Sequence, residues 1–429
     1  MVQSQLVPPS SYNNTQESGG KNLASVLLVV VILCLLPLER WMFPFNLKIV
    51  DIALVLLIIC GLMRLSSRLP IHLPLVVPVS LIIIASLIAM IASSAGSTSV
   101  LAVIQEAYIY MWFVFLTSLL ASFAVSDLER FMKIWCIIAL MEATVTFMGM
   151  IDIGPDIFYT SPEDGGVLSS QGLNRAIGTY VNPNAAAAYL SISFFILLAI
   201  RWPSWLRSVF GVWLFVGIVA TGSMSALVST IFSFFTLILV YLILERQRTV
   251  AFSGTVFCFA TALVAFGLLI TTILPSFLSV ADTIVESHIF SLNLGRITRS
   301  LTSRFALINT AWSDYIQNPL GTGPNSFESL GSLHNDYVAF LFERGPLGAI
   351  GLLLLVGATL SLPLRVAFLQ KDNKRSWQVL SFGAGFLACA VIAVSHEVSH
   401  FRQVWVLMAF LYAISYSLLS QPCEKSIVI

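Results

Sequence analysis

RFALINTAWSDYIQNPLGTGPNSFESLGSLHNDYVAFLFERGPLG, residues 304–348, is a polar stretch in a chain that is otherwise apolar almost throughout. Arg, His, Asn, Asp and Glu persist beside a bilayer only where they are solvated, paired or used. The stretch therefore reads as a segment held at a membrane surface, with apolar scaffold before and after it.

Outward from it, 58% of the 429 residues are hydrophobic and 10% are charged, with a mean hydropathy of +0.91. These values lie outside those of soluble domains, and an all-α polytopic membrane protein is the class that fits. A net charge of +1 gives no electrostatic footprint for nucleic acid, so no such partner is expected. Cys34, Cys60, Cys136, Cys258, Cys389 and Cys423 sit mostly inside apolar runs at no metal-ligand spacing. They read as small buried hydrophobes, without a disulfide framework.

About twelve runs approach the roughly 20 residues that cross a bilayer. They lie near 23–38, 45–63, 73–95, 100–124, 130–151, 185–200, 204–220, 224–244, 250–274, 346–362, 377–395 and 403–420. The expected organisation is a disordered tail at 1–22, a bundle of about nine helices over 23–274, a large loop at 275–345, further membrane helices over 346–420, and a short tail at 421–429. Lys and Arg collect in cytoplasmic connections. With the first tail inside, the inner loops carry Arg64, Arg68, Arg130, Lys133, Arg201, Arg207, Arg246, Arg248, Arg365, Lys371, Lys374 and Arg375. That alternation makes both termini cytoplasmic and the large loop extracytoplasmic. The large loop breaks the rule with Arg296, Arg299, Arg304 and Arg344, which points to another use for them. Its Pro and Gly residues cut it into short pieces, with helices expected at 279–292 and 301–316. Phe305, Ile308, Trp312 and Tyr315 make the second an amphipathic helix suited to the interface.

Four polar clusters fall on the outer side. In "NRAIGTYVNPN" (174–184) the Asn-Pro-Asn is a turn signal that either caps the next helix or faces a ligand, and Arg175 is a candidate for an ion pair or an anion. "TGSMSA" (221–226) is a short turn whose small residues also suit close helix packing. In the large loop, Arg304 stands ahead of a Gly-rich turn, "NPLGTGPNSF", and of "HNDY" at 334–337. Exposed backbone N–H groups in such a turn, with a planar guanidinium, would receive a diphosphate. Finally "SHEVSHFRQVW" (395–405) spells His-Glu-Val-Ser-His literally, the zinc-peptidase pattern, but a third ligand and a cleft are not indicated. The alternative is a turn that adds His396, Glu397, His400 and Arg402 to one polar cavity.

Together these residues resemble the O-antigen ligase and polymerase superfamily. The resemblance rests on Arg175, Gly178, Thr179, Asn182, Pro183 and Asn184, then Thr221, Gly222 and Ser223. It continues with Arg304, Trp312, Asn318, Pro319, Leu320, Gly321 and Gly323, and closes with His334, Asn335, Tyr337, Glu343, Gly345 and Gly348. It covers about residues 170–362. Where the family often has Arg after Thr-Gly-Ser, this chain has Met224.

The resemblance implies a glycosyltransferase C-like membrane fold of about twelve transmembrane helices, with the large loop of short helices between the ninth and tenth. It implies a metal-independent enzyme without a cofactor, in the bacterial inner membrane. Such an enzyme moves a glycan from an undecaprenyl diphosphate carrier to an acceptor hydroxyl. An O-antigen ligase is the favoured form; polysaccharide polymerase and protein O-oligosaccharyltransferase are the variants. Arg304 and Arg175 would meet the diphosphate, whose charge grows in the transition state. His334 would act on the acceptor hydroxyl, imidazole being matched to proton transfer at neutral pH. Asn182, Asn184, Ser223, Gly321, Gly323, Asn335, Tyr337 and Arg402 would line the substrate site, and Glu343 would orient an arginine. A competing reading from a different class is an anion transporter, in which the mid-span acids Glu106 and Glu142 matter instead.

Overall fold

Apolar segments in lipid must satisfy their own backbone, and the helix does so within one segment. A computed structural model of the chain describes residues 23–39, 42–43, 47–66, 71–93, 97–151, 153, 176–246, 294–327, 333–370 and 372–420. Among these residues the fold is twelve helices and one two-residue hairpin. The helices are α1 (Leu23–Leu35), α2 (Ile49–Ser66), α3 (Val76–Ala92), α4 (Ser97–Ala121), α5 (Val125–Met150), α6 (Pro183–Ala199), α7 (Ser204–Ala220), α8 (Met224–Arg246), α9 (Leu294–Gln317), α10 (Asp336–Leu369), α11 (Asn373–Ile392) and α12 (Arg402–Leu419). The hairpin pairs β1 (Met42–Phe43) with β2 (Leu47–Lys48) antiparallel, Met42 opposite Lys48.

Six helices, α4, α5, α8, α10, α11 and α12, are long and apolar enough to cross a membrane, and α1, α2, α3, α6 and α7 are shorter apolar helices. Their outer faces carry large exposed hydrophobics, among them Ile52, Leu56, Ile59, Val77, Ile91, Val228, Phe232 and Leu353. Such contiguous apolar surface is a liability in water and the ordinary exterior of a helical membrane protein.

α6 lies at the centre. It packs on α5, α7, α8 and α11, and Ala185–Ala188 are fully enclosed. A helix apolar all round belongs in such a place. Small residues set the closest approaches. At Gly351 of α10 a Cβ would come 2.8 Å from Ile82 and 3.1 Å from the Pro78 carbonyl of α3. Buried polar side chains tie helices together, Trp135 Nε1 donating to Ser193 at 2.8 Å and Thr230 to Ser191 at 2.8 Å.

Hydrogen bonds between turns sort them to two ends of the bundle. At one end Thr179 Oγ1 donates to the Pro37 carbonyl (2.7 Å), Ser99 to the Pro324 carbonyl (2.8 Å), and the Asp336 N–H to Ala393 (2.9 Å). At the other, the His72 N–H donates to Ser118 (2.9 Å), Trp377 to the Leu198 carbonyl (2.9 Å) and Gln370 to Leu418 (3.0 Å). The first end collects the described turns that the sequence reading puts on the outer side.

One expected boundary moves. The large loop was expected to run to 345, but α10 begins at Asp336, capped by the Asn335 side chain, which accepts from Val338 N (3.1 Å). The charges that made 336–345 look like loop are buried and paired. Gly345 (φ 66) then interrupts the helix before Pro346 restarts it. The expected helix at 301–316 is α9, longer at its start. The tails, the span at 250–274 and the helix at 279–292 lie outside the described residues.

Candidate active site at one end of the bundle

The Asn-Pro-Asn turn is built as a helix start. Asn182 caps α6, its side chain accepting from Asn184 N at 2.8 Å, with Pro183 in the first turn. The Asn184 side chain is thereby aimed across the bundle end. Its Oδ1 accepts from Ser223 Oγ (2.9 Å), and its Nδ2 lies 3.3 Å from Nδ1 of His396. The His396 ring stands nearly perpendicular to that of His334, with centroids 6.3 Å apart. Three motifs far apart in sequence, together with the turn between α11 and α12, thus meet in one cluster. His334 itself holds a left-handed backbone (φ 50). Such a conformation costs about 1–3 kcal/mol in a residue with a side chain and is concentrated at functional sites.

Gly178 and Thr179 have a different purpose. Thr179 bonds Glu142 twice, Oγ1 to Oε2 at 2.6 Å and N to Oε1 at 3.1 Å, while Thr146 adds a third contact at 3.4 Å. Gly178 has φ +58, and a Cβ there would run into the Glu142 carboxylate. Only glycine lets the segment approach this closely.

The Gly-rich turn corrects an expectation. Its amides are not open to a diphosphate: Gly321 N donates to Asn318 O (2.8 Å), Thr322 N to Phe342 O (3.0 Å) and Gly323 N to Glu343 O (2.9 Å). The interruption of α10 at Gly345 leaves the carbonyls of Phe342 and Glu343 without helical partners, and the turn supplies them. Gly321 and Gly323 are therefore structural, and Gly321 (φ +110) packs with 2.5 Å between a built Cβ and the Glu343 carbonyl.

Arg344, which opposed the insertion rule, is 4% exposed. Its Nε donates to Glu106 Oε1 (2.8 Å), its Nη1 to Glu343 Oε2 (2.9 Å), and its guanidinium lies 4.2 Å from the centre of the Phe340 ring. Glu343 thus holds Arg344 in a buried ion pair. Glu106 also accepts from Ser86 (2.8 Å). The two acids of the transport reading are therefore both engaged, Glu106 by Arg344 and Glu142 by Thr179.

The turn between α11 and α12 is fastened by Asp336, which accepts from Val398 N (2.8 Å), Ser399 N (3.0 Å) and Ser399 Oγ (2.8 Å). It is not helical, so His396 and His400 do not share a helix face. His396 turns to Asn184, whereas His400 Nε2 faces Glu397 Oε2 at 3.3 Å. Among the described residues no group of three His, Cys, Asp or Glu side chains converges on a metal position. Burial pushes the His400 imidazole down, but the Glu397 hydrogen bond and the Asp336 charge outweigh it and leave its pKa raised. Arg402 is occupied as well. It makes a two-point pair with Asp51 (3.3 and 3.1 Å) and donates to the His400 carbonyl (3.2 Å).

Beneath this end a narrow cavity of about 100 Å³, open at its mouth, runs between α3, α4, α10, α11 and α12. Its wall is polar near the site, with Gln105, Glu106, Asn325, Asp336, Arg344 and His400, and apolar below. Tyr337 also lines it and donates to the Ala390 carbonyl at 2.9 Å.

Of the expected site residues, Asn184, Ser223 and His334 come together, joined by His396. Asn182 and Asn335 serve as helix caps, Glu343 and Arg402 sit in buried ion pairs, and Tyr337 faces the cavity. Arg175 and the side chain of Arg304 lie outside what is described; the backbone of Arg304 is in α9, whose Trp312 and Tyr315 pack on Phe342 of α10. Asp336, Arg344 and Asp51 were not singled out as site residues. The signal for Arg344 was its violation of the charge rule, and for Asp336 its place inside the His-Asn-x-Tyr segment.

The fold defines a helical membrane protein with a cluster of polar side chains at one end of the bundle. A scan against protein-family models finds no match, and a search of curated proteins finds none.

Proposed function

We propose that the protein is a membrane glycosyltransferase that moves a glycan from undecaprenyl diphosphate to an acceptor hydroxyl, of the O-antigen ligase type. The observation that carries the reading is the meeting of Asn184, Ser223, His334 and His396 at one end of a lipid-compatible bundle. Polar side chains gathered from four turns at the end of an apolar bundle supply donors and acceptors for a polar substrate.

In this reading His334 takes the proton of the acceptor hydroxyl as its oxygen attacks the anomeric carbon. The bond from that carbon to the diphosphate oxygen breaks, and undecaprenyl diphosphate leaves with the electron pair. Arg304 and Arg175 are assigned to the diphosphate, where charge accumulates in the transition state. Asn184, held by Ser223, orients His396 beside His334. The site end faces away from the cytoplasm, both termini lie inside, the chain crosses the bacterial inner membrane about twelve times, and no metal takes part.

The test is complementation of a host deleted for the gene, with surface and lipid-linked glycans resolved on gels. Wild type restores the glycan, whereas Arg304→Ala and His334→Ala do not, at equal protein levels. Long polymer stranded on the carrier then identifies a ligase, and single repeats on the final acceptor identify a polymerase. Full activity of both variants, with loss only in Glu142→Ala, would reject the transferase in favour of transport.

A further inference from the structure

The amphipathic stripe expected of α9, through Ile308, Trp312 and Tyr315, is divided in the structure. Ile308, Ala311 and Tyr315 turn inward and join Phe327, Leu333, Ala339 and Phe342 in a small core of their own. Trp312 lies at the edge of that core, its ring centre 5.7 Å from that of Phe342, yet it is 49% exposed. Beyond it Ile316 is 61% exposed and Leu320, in the turn that follows, 56%. Thr310, Ser313 and Gln317 are exposed on the remaining side. α9 therefore has three faces: one packed on protein, one apolar and open, and one polar and open. A helix lying on protein in water needs only the first and the last. The open apolar flank also continues backwards in register. Positions 301 and 305 come eleven and seven residues before Trp312, which returns them to its side of the helix, and they hold Leu and Phe.

The turn after α9 fixes the level of this flank against the bundle. A Cβ built on Gly345, where α10 is interrupted, would come 2.6 Å from the Leu320 carbonyl. One built on Gly321 would come 2.8 Å from the Cβ of Ala89, a turn short of the end of α3 at Ala92. The part of α10 after the break, 346–369, is about 36 Å long at 1.5 Å per residue, enough for a hydrocarbon core of about 30 Å. Gly345 thus marks the level at which α10 enters the core, and Leu320 touches it there. Ile91 of α3 and Ile350 of α10, both near this level, are exposed as well. The flank of α9 is therefore continuous with the surface that the bundle presents to lipid.

We propose that α9 is seated in the bilayer interface of the leaflet at the site end, with Trp312, Ile316 and Leu320 among the acyl chains and Thr310, Ser313 and Gln317 toward water. The partner of this face is lipid, not a second protein or another part of this chain. α9 is not among the helices apolar enough to cross a membrane, and a helix with one apolar flank lies in the interface instead. Tryptophan suits that boundary, its ring in the apolar layer and its N–H at the polar one. Seated so, α9 holds position 304 at the depth of lipid headgroups, where the diphosphate of a polyprenyl carrier lies. That consequence rests on the transferase reading; the seating does not.

The experiment uses the purified full chain in nanodiscs of phosphatidylethanolamine and phosphatidylglycerol, in a cysteine-free background. Single nitroxide labels are placed through Ile316→Cys, Leu320→Cys, Thr310→Cys and Gln317→Cys, all at exposed positions, and each variant is checked for unchanged elution and thermal unfolding. Power-saturation EPR then compares collisions with oxygen, which concentrates in hydrocarbon, and with a water-soluble nickel chelate. Oxygen is expected to dominate at 316 and 320 and nickel at 310 and 317, a reversal of the ratio across one helix. The seating is overturned if nickel dominates at 316 and 320, which puts the flank in water. It is equally overturned if both reagents collide rarely there, which means that protein covers the flank. No turnover is involved, so a lipid-seated α9 in a chain that does not transfer glycan would count against the transferase reading alone. A water-exposed α9 in an active chain would count against the seating alone.

Discussion

His334 combines an unfavourable backbone with a place facing a second imidazole, and the account gives it the proton transfer. General-base catalysis contributes about 10²–10⁴-fold. His334→Ala should therefore lower transfer by at least about 10²-fold in a purified assay, with the thermal unfolding of the protein little changed, since alanine keeps the Cβ that makes this backbone unfavourable. A loss of less than about threefold would remove it from that role. Gly178 makes the opposite prediction. Gly178→Ala forces a Cβ toward the Glu142 carboxylate at φ +58 and should destabilise the fold by about 2 kcal/mol or more, measured by thermal unfolding in detergent. Both residues were legible in the sequence as parts of a pattern. The reason for Gly178 was not, because Glu142 lies 36 positions away and only the packing of α5 brings it near.

At the scale of elements, the Gly-rich turn and the start of α12 show how far a local reading reaches. The turn itself was readable from its glycines and prolines. The direction of its amides was not, since it depends on where α10 breaks. Arg402 likewise read as a polar residue of the site, and its partner Asp51 lies 351 positions earlier. Removing one member of such a buried pair leaves the other uncompensated, at a cost of about 3–5 kcal/mol. Arg402→Ala should thus lose stability before it loses activity, and Arg402→Leu with Asp51→Leu should recover most of that loss in thermal unfolding. A destabilised double variant no better than the single would contradict the pairing. The turn between α11 and α12 adds a pH dependence. His400 has a raised pKa in the folded protein, so the stability gained from its protonation is fully present below the ordinary imidazole pKa of about 6.5 and is lost as pH rises through the folded value. Thermal unfolding should fall over that range in wild type and flatten in His400→Gln.

For the whole molecule, hydropathy was enough to find all eleven apolar helices that are described, because lipid demands helices and helices in lipid demand apolar runs. What hydropathy could not give was their order in space, with α6 central and α10 against α3, since helix neighbours in a bilayer are chosen by small residues and paired polar groups rather than by apolar character. The charge alternation makes a global prediction. In a cysteine-free background, Val394→Cys at the site end should react with a membrane-impermeant maleimide in intact spheroplasts, and Ser204→Cys at the far end only after lysis. Reaction of both before lysis, or the reverse order, would refute the proposed orientation.

The central claim is that this cluster transfers a glycan from a lipid diphosphate. The most direct measurement is release of undecaprenyl diphosphate from a labelled undecaprenyl-diphosphate glycan by the purified chain in nanodiscs, with and without a hydroxyl-bearing lipid acceptor. The account predicts release that depends on the acceptor, matched mole for mole by label on that acceptor, and lost in His334→Ala. Intact donor at all acceptor concentrations, or release equal in wild type and His334→Ala, would contradict it.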